Sequence, residues 1–246
     1  YIEGAEPGDV LVVHLERITP NRTRSYSGCG LAANVLDPDY SPEKQRFYME
    51  AIWMIDAERK SATLDHPKVW FDPFTLELEP MLGSIGVAPP FGQALSTGTS
   101  GRHGGNMDYR GIVSGTTLYF PVFAEGALFG FGDGHAWQAD GEVLGRGLEV
   151  SMDVTFTVEL IKNGGARWPR GENESKIFTI GNSRLLEQAL QHATTEMIRW
   201  LQRDYHLDEL NAHMIIGHLV QYEIANVFNA AYSVVCKLDK KFLPAK

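Results

Sequence analysis

The sequence has little cysteine, and the two residues it has lie far apart. Cys29 and Cys236 are the only two among 246 residues. Neither belongs to a C-x-x-C pair, which excludes a disulfide framework and a cysteine-rich zinc finger. One disulfide between them is still allowed by arithmetic, but their small and apolar neighbours favour two unrelated buried thiols.

Other absences narrow the range of functions. No apolar run reaches the roughly 18–20 residues that a bilayer-spanning helix needs, and no signal peptide is visible. The chain contains no Gly-x-Ser-x-Gly elbow, Walker A loop or dinucleotide fingerprint, so these forms of serine catalysis and nucleotide binding have no support. With a net charge of −9, electrostatics disfavour nucleic acid and anionic membranes as partners.

The first residue is Tyr1 rather than methionine. We therefore expect that a segment upstream of it has been removed or left out. An exported protein with a cleaved leader and a trimmed cytoplasmic protein both fit this expectation.

Strand-like patterns occupy most of the chain. Residues from Gly145 to Ile161 alternate between apolar and polar or small side chains, which predicts a long strand with one buried face. The β-branched stretch Val10–Leu15 predicts another strand. Further strands are predicted at Phe47–Ile55 with Ala62–Leu64 as a hairpin, at Thr116–Phe123, at Ala127–Phe131 and at Val234–Leu238.

The period changes near the end of the chain. Apolar residues from Leu185 to Leu201 fall on one helical stripe, with Ser183 as its predicted N-cap. A second helix is predicted from about Asp208 to about Ile224. The sequence thus predicts a mainly β (α+β) fold with a β-sandwich or jelly-roll-like core and a C-terminal helical pair. We expect one domain over residues 1–246, with a β core over about 1–165, helices over about 182–226 and a closing strand over about 231–239.

The first chemistry-bearing cluster runs from His103 to Asp108. Imidazole and carboxylate are common ligands of divalent metals. The paired glycines at 104 and 105 allow positive φ, so a tight turn can bring His103 and Asp108 to one point. Asn106 lies in the same turn and offers either a carbonyl oxygen or an amide donor.

The second cluster holds Asp133, His135, Gln138, Asp140 and Glu142. In an extended chain Asp133 and His135 share a face about 7 Å apart, and Asp140 and Glu142 do the same. Carboxylates this close repel one another unless a cation neutralises them, and repulsion also tunes acids and bases. The pattern predicts a metal site built by both clusters.

Two alternatives remain open at this point. Asp-Gly is a common hairpin signal, so Asp133 and Asp140 could serve only as turn residues. Several oxygen ligands in acidic loops could also hold calcium structurally rather than a catalytic metal.

Together these motifs resemble the acetamidase/formamidase family. Their order and spacing match over about residues 1–11 and 82–160. The segments that carry the resemblance are Glu3–Leu11, Gly86–Pro89, His103–Asp108, Leu118–Val122 followed by Glu125–Leu128, and Gly132–His135 leading to Gly141–Val143.

The resemblance implies a β-sandwich-rich fold with helices and the hydrolysis of formamide, acetamide and similar short amides to a carboxylate and ammonia. It also implies a bound divalent metal, often zinc, and a homo-oligomer. By resemblance, His103, Asp108, His135 and Glu142 surround the metal and the scissile amide. The chain departs from the family pattern at Trp137 and Ala139, where smaller residues are usual, and the large indole would narrow the pocket. It also departs at Gln221, Asn226 and Asn229, where the family tends to have Asp, Gln and Asp.

The resulting hypothesis assigns a role to each residue. Metal ligands are predicted at His103, Asp108, Asp133 and His135. Glu142 or Asp140 would be the base that moves the water proton, with Glu142 favoured because a free carboxylate beside a metal is usual in metallohydrolases. Asn106 or Gln138 would orient the amide; the list of catalytic candidates is therefore Glu142, Asp140, Asn106 and Gln138.

Two other functions remain in competition with this one. The chain could be a metal-stabilised binding or structural module that has lost catalysis. It could also be a thiol-dependent amidase, in which Cys29 between two glycines is the nucleophile.

Overall fold

The structure is a computed structural model that describes residues 1–40, 49–70 and 72–244. Helix α1 spans Leu186–Asp204 and helix α2 spans Glu209–Leu219. The strands are β1 (Val10–Pro20), β2 (Arg24–Gly28), β3 (Glu50–Asp56), β4 (Ser61–His66), β5 (Thr75–Glu77), β6 (Met81–Gly86), β7 (Ser100–Gly101), β8 (Gly104–Asn106), β9 (Thr116–Pro121), β10 (Gly130–His135), β11 (Met152–Ile161), β12 (Arg170–Glu172), β13 (Lys176–Ser183), β14 (Gln221–Asn226) and β15 (Tyr232–Asp239).

These strands form one large sheet and two small ones. The large sheet has seven strands in the order β11-β1-β9-β12-β13-β15-β14, so it joins strands from both ends of the chain. One small sheet has the order β10-β6-β8-β7 and the other has the order β2-β3-β4-β5. Each hydrogen-bonded strand pair is antiparallel.

The main core lies between the large sheet and the β10-β6-β8-β7 sheet. Leu11 and Val13 of β1 and Phe178 of β13 share one buried cluster with Leu82 and Ile85 of β6. Because successive side chains of a strand point to opposite faces, Leu11 and Val13 mark the face of the large sheet that meets β6. The two sheets therefore pack as a sandwich.

The opposite face of the large sheet carries the helices. Ile177 and Cys236 point away from the sandwich core and pack with Ala193, Met197 and Trp200 of α1. No described helix is long and apolar enough to cross a membrane. The third sheet has its own small core, which includes Trp53, Leu64, Ala136 and Leu148.

The predicted mainly β class with two C-terminal helices is confirmed. The hairpin and the closing strand are also present as β3–β4 and β15, although Phe47 lies outside the described residues. Both cysteines are free, as expected. Asp208 caps α2, accepting a hydrogen bond from the Asn211 N–H at 2.8 Å.

Several boundaries were wrong. Helix α2 ends at Leu219, and Gln221–Asn226 form β14 instead of the last turns of a helix, because they pair with β15. Ser183 ends β13 and does not cap α1, whose N-cap position is Leu185. The predicted strand over 145–161 begins only at Met152. The β core also continues past residue 165 into β12, β13, β14 and β15.

Candidate active site

A group of carboxylates surrounds His135 at the end of β10, where the two small sheets meet. Isolated bridges join Glu149 to Tyr26 of β2 and to His135 of β10. The fully buried His135 imidazole places Nε2 3.1 Å from Glu149 Oε1 and 3.4 Å from Asp133 Oδ1. Asp133 and His135 reach the same centre because they are two residues apart on one strand.

Asp108 and Glu142 complete this arrangement, which we call the acidic cluster: Asp108, Asp133, His135, Glu142 and Glu149. Two groups of three can each bring their ligand atoms within 4.8 Å of one another. The first is Asp108, Asp133 and His135, and the second is His135, Glu142 and Glu149. His135 is shared, so it stands at the centre of the cluster.

Gln138 fixes the orientation of the central imidazole. Its Oε1 lies 2.8 Å from His135 Nδ1. Its Nε2 donates to the backbone oxygens of Asp108 at 2.6 Å and Ala225 at 3.5 Å. Since an amide oxygen can only accept, Nδ1 carries the proton when the ring is neutral, and the lone pair of Nε2 faces the carboxylates.

Two asparagines hold the carboxylates from the other side. Asn226 on β14 donates through Nδ2 to Asp108 Oδ2 at 3.1 Å and also to Glu142 Oε2. Asn229 donates to the same oxygen of Asp108 at 2.6 Å. The Oδ1 atom of Asp108 is buried without a hydrogen-bond partner among the described atoms. Nε2 of His135 is also buried and faces Glu149 at 3.1 Å and Asp133 at 3.4 Å. A cation bound here would take the place of the proton that His135 shares with these carboxylates.

The backbone and the neighbouring glycines are shaped around the cluster. Asp108, Asp133 and Glu142 have positive φ values of 45°, 58° and 46°, a region that costs non-glycine residues energy and is concentrated at functional sites. A Cβ at Gly83 would lie 2.3 Å from Asp108 Oδ1 and 2.6 Å from Asp133 Oδ2. A Cβ at Gly147 would lie 2.5 Å from His135 Nδ1.

The cluster carries more negative charge than its one imidazole can balance. Burial, with the charge of Asp108 added, raises the pKa of Glu142 to about 9. Burial, with the charge of Asp133 added, raises the pKa of Asp108 to about 7. Burial alone would lower the pKa of His135, but the carboxylates of Asp133 and Glu149 hold that pKa well above its usual value. A bound cation would relieve this repulsion.

Two cavities open on the cluster and share Asn106 and Asp133. The larger, of about 710 Å³, is lined by His103 and by apolar residues that include Val87, Leu128 and Phe131. The smaller, of about 390 Å³, contains Glu142, Glu149 and Arg146. One cavity thus offers an apolar wall and the other an acidic one.

Comparison with known proteins identifies the family. A profile described as the Acetamidase/Formamidase family matches residues 91–235. The chain belongs to the acetamidase/formamidase family. The matched segment contains every member of the acidic cluster, so the site lies inside the part of the chain that defines the family.

Individual relatives of this family agree. The acetamidase of Mycolicibacterium smegmatis is 27% identical over 233 aligned residues, which cover 73% of this chain and 56% of that protein. An acetamidase structure from Yersinia enterocolitica matches with a TM-score of 0.84 and 30% identity, over 99% of this chain and 73% of the other. An acetamidase structure from Bacillus halodurans gives 0.83 and 30%, over 98% and 77%. The chain spans little more than half the length of the curated relative.

The acetamidase/formamidase motifs converge only in part. Asp108, Asp133, His135 and Glu142 meet in the acidic cluster. His103 joins neither three-residue group among the described residues and lines the larger cavity instead. Burial lowers the pKa of His103, which keeps its imidazole neutral near pH 7.

Three other residues differ from their expected roles. Asp140 is exposed and pairs with Arg110 at 3.7 Å, in a separate cavity. Gln138 was expected to orient the amide, but both of its side-chain ends are bonded within the protein. Trp137 packs on the third core and under Arg110, and it lines neither cavity of the cluster.

Glu149 was missed by sequence reasoning. It lies between Leu148 and Val150 on the polar side of the alternating run. A carboxylate at that position could have been considered as a further metal ligand. It meets His135 through an isolated β-bridge between two segments that are not adjacent in the sequence, and no local pattern predicts that pairing. The thiol reading of Cys29 is disfavoured, because burial raises its pKa and a thiolate is the nucleophile.

Proposed function

We propose that this chain carries the hydrolytic site for a short-chain amide of the formamide or acetamide type, and that a divalent metal is required. The products are the carboxylate and ammonia. The observation that carries the proposal is the buried Nε2 of His135, which faces carboxylates of both three-residue groups beside the unpaired Oδ1 of Asp108. The names of the acetamidase relatives supply the reaction class.

The donor set of the cluster fits zinc better than calcium. Asp108, Asp133 and His135 would hold the ion, and Glu149 is the further carboxylate within reach of His135. Imidazole and carboxylate are both zinc ligands, whereas calcium takes six to eight oxygens and no nitrogen. Gln138 would keep Nε2 of His135 deprotonated and aimed at the ion, as partners of metal-bound histidines do.

Glu142 is the residue we place in the proton path. When bound, zinc would polarise the amide carbonyl and lower the pKa of a water molecule to about 7. With a cation in the cluster to lower its raised pKa, the Glu142 carboxylate would take the proton from the attacking water and return it to the nitrogen as the C–O bond forms and the C–N bond breaks. Asn226 holds the Glu142 carboxylate in place through its amide. Asp140 is unsuited to this role because it is exposed and paired with Arg110.

The larger cavity would receive the substrate. Its apolar wall of Val87, Leu128 and Phe131 suits a short acyl chain, and Asn106 at the join between the two cavities would orient the amide. His103 lines this cavity, and its neutral imidazole would accept a hydrogen bond from the substrate amide or donate one to it. Association into a homo-oligomer stays a prediction.

The deciding experiment measures ammonia release alongside elemental analysis. Purified protein should contain zinc and should release ammonia from formamide, acetamide or propionamide, and dialysis against a chelator should abolish the release until zinc is restored. Glu142→Gln should fold normally and lose about 10²- to 10⁴-fold in kcat.

Asp140→Asn is the matched control, because it neutralises the other carboxylate of the same turn and should retain activity. Full turnover by metal-free protein would contradict the metal requirement. An active Glu142→Gln together with an inactive Asp140→Asn would assign the base to Asp140. Metal binding without any ammonia release would favour the inactive binding module, which the names of the relatives do not support.

A further inference from the structure

A second site lies away from the acidic cluster, in a cavity lined by arginines. This arginine cavity has a volume of about 830 Å³, and its wall includes Arg102, Arg167, Arg199 and Arg203. An adjoining cavity of about 480 Å³ shares Arg102, Arg167 and Arg199. The three shared guanidinium groups therefore stand between two open spaces.

The positive charge here is only partly compensated by the protein. Arg199 pairs with Glu196 at 3.6 Å and Arg203 with Asp204 at 3.8 Å. Within residues 1–40, 49–70 and 72–244, no ion pair links Arg102 or Arg167 to a carboxylate. Glu196 is buried beneath them, and its Oε1 already accepts from the Arg167 backbone N–H at 3.1 Å and from Arg170 Nε at 2.7 Å. Asp9 also lines the cavity, but Lys162 Nζ occupies its Oδ2 at 2.7 Å.

This concentration of cations contrasts with a chain whose net charge is −9. Like charges that share a cavity repel one another, so a bound anion would stabilise the arrangement. The neighbouring His192 is affected by the same positive charges. Its pKa is lowered first by burial and then by Arg102 and Arg199.

The cavity is also organised in advance. Arg102 donates from Nε to the Arg167 backbone oxygen at 3.1 Å, and its guanidinium lies 5.1 Å from the centre of the Phe123 ring. This fixes the plane of the group and leaves its terminal nitrogens for a ligand. Planar guanidinium groups bind carboxylates and phosphates through two parallel hydrogen bonds.

Apolar surfaces flank the arginines in both cavities. Phe91 stands 89% exposed at the arginine cavity, beside Val122 and Phe123. In the adjoining cavity Trp168 stacks on His192 with ring centres 4.3 Å apart. A ligand that fills this space would therefore combine a charged head with an apolar or aromatic body.

We propose that the arginine cavity binds an organic anion with a carboxylate or phosphate head group and an apolar body. Such a ligand is unsuited to the acidic cluster, whose carboxylates would repel it. The site is thus separate from amide hydrolysis and does not depend on that proposal.

The test is calorimetric titration with four probes: inorganic phosphate, phenyl phosphate, benzoate and benzyl alcohol. We expect at least one aromatic anion to bind, to bind more tightly than inorganic phosphate, and to weaken as salt is added. Benzyl alcohol, which lacks the charge, should not bind. The ratio of phenyl phosphate to benzoate affinity separates the two head groups.

Variants locate the binding. Arg167→Gln should weaken the bound probe by about tenfold or more, since it removes charge-assisted hydrogen bonds. Arg59→Gln removes the same charge from a side chain that is 85% exposed and pairs with Asp56 at 3.6 Å, and it should leave affinity unchanged. Unfolding curves of both variants check that the fold is retained.

Three results would overturn the proposal. The first is no binding of any anion by the wild-type protein. The second is equal weakening by Arg59→Gln and Arg167→Gln, which would indicate a general charge effect. The third is a wild-type protein that is a dimer and binds no probe, combined with an Arg167→Gln variant that is a monomer. A second copy of the chain would then fill the cavity.

Discussion

Glycines 83 and 147 show how much of this site is set by single residues that carry no chemistry. Neither has positive φ, so neither is needed for backbone freedom. Their role is to leave space: a Cβ at either position would overlap the side chains of Asp108, Asp133 or His135. The Gly83 carbonyl oxygen also accepts from the Asp108 backbone N–H at 3.0 Å. Gly83 therefore positions both the backbone and the carboxylate of Asp108.

We predict that Gly83→Ala weakens metal binding while the protein still folds. The new methyl group would push the Asp108 and Asp133 carboxylates apart, and disturbed partners of metal ligands typically cost about 10- to 100-fold in affinity. A competition titration with a chromogenic zinc chelator measures this, with circular dichroism to check the fold.

Gly130→Ala is the matched control for that substitution. Gly130 lies in the same small sheet, and a Cβ there would meet nothing within 4 Å. Zinc affinity should remain at the wild-type value. Unchanged affinity in Gly83→Ala would mean that Asp108 and Asp133 do not hold the metal.

Sequence alone could identify part of this site at the residue scale. Asp133 and His135 share a face because strands alternate, and this local rule needs no tertiary knowledge. The same rule was expected to hold for Asp140 and Glu142, with Glu142 favoured as the base, but it fails there. Residues 140–142 form a 3₁₀ turn in which Gly141 has φ of 81°, and of the two acids only Glu142 is buried. Glu149 depends on a bridge between distant segments, which no local pattern shows.

Among the elements, helix α1 is attached to the large sheet by more than apolar packing. Glu196 on its inner face is fully buried and bonds Arg170 of β12 at 2.7 Å. Arg170 in turn lies 5.3 Å from the centre of the Trp200 ring. A buried ion pair of this kind fixes how the helix sits on the sheet, because each charge would lose its shortest opposite-charge contact without the other.

We predict that Glu196→Ala lowers the free energy of unfolding by about 3–5 kcal/mol, since it removes the 2.7 Å partner of buried Arg170 and leaves only the longer pair with Asp204 at 3.8 Å among the described residues. Glu187→Ala, an exposed residue in the first turn of the same helix, should change stability by less than about 0.5 kcal/mol. Urea unfolding measures both. A loss below about 1 kcal/mol in Glu196→Ala would show that water reaches Arg170.

At this scale the sequence predicts elements well where one period dominates. The alternation within Met152–Ile161 and the stripe of α1 both appear in the structure. The prediction failed at Gln221–Asn226, because no glycine or proline follows Leu219 and the apolar residues there are equally compatible with a helix. Pairing with β15 determines the strand, and pairing is a tertiary property.

Across the whole molecule, the acidic cluster gathers segments that are far apart in the chain. Asp108 follows β8, Asp133 and His135 belong to β10, Glu149 bridges to β2, and Asn226 comes from β14 of the large sheet. A cation held there would join the two small sheets directly and the large sheet through the Asn226 hydrogen bond to Asp108. Metal binding should therefore stabilise the fold as a whole and not only the loops that supply ligands.

We predict that zinc raises the Tm of the metal-free protein. A ligand at 100 times its Kd adds about 2.7 kcal/mol to the free energy of unfolding, which for a chain of this size corresponds to roughly 5–11 °C. Differential scanning calorimetry of chelator-treated protein, with and without zinc, measures the shift. His135→Ala should abolish it, because both three-residue groups lose their shared member.

His213→Ala controls for zinc bound by a surface imidazole on α2, and it should keep the full shift. An equal shift in wild type and His135→Ala would mean that zinc binds outside the acidic cluster. No shift in the wild type would remove the metal from the proposed chemistry. In that case Asp108 and Glu142, whose burial raises their pKa values to about 7 and about 9, would stand as an acid pair without a cation, and Nε2 of His135 would serve only as the partner of Glu149 and Asp133.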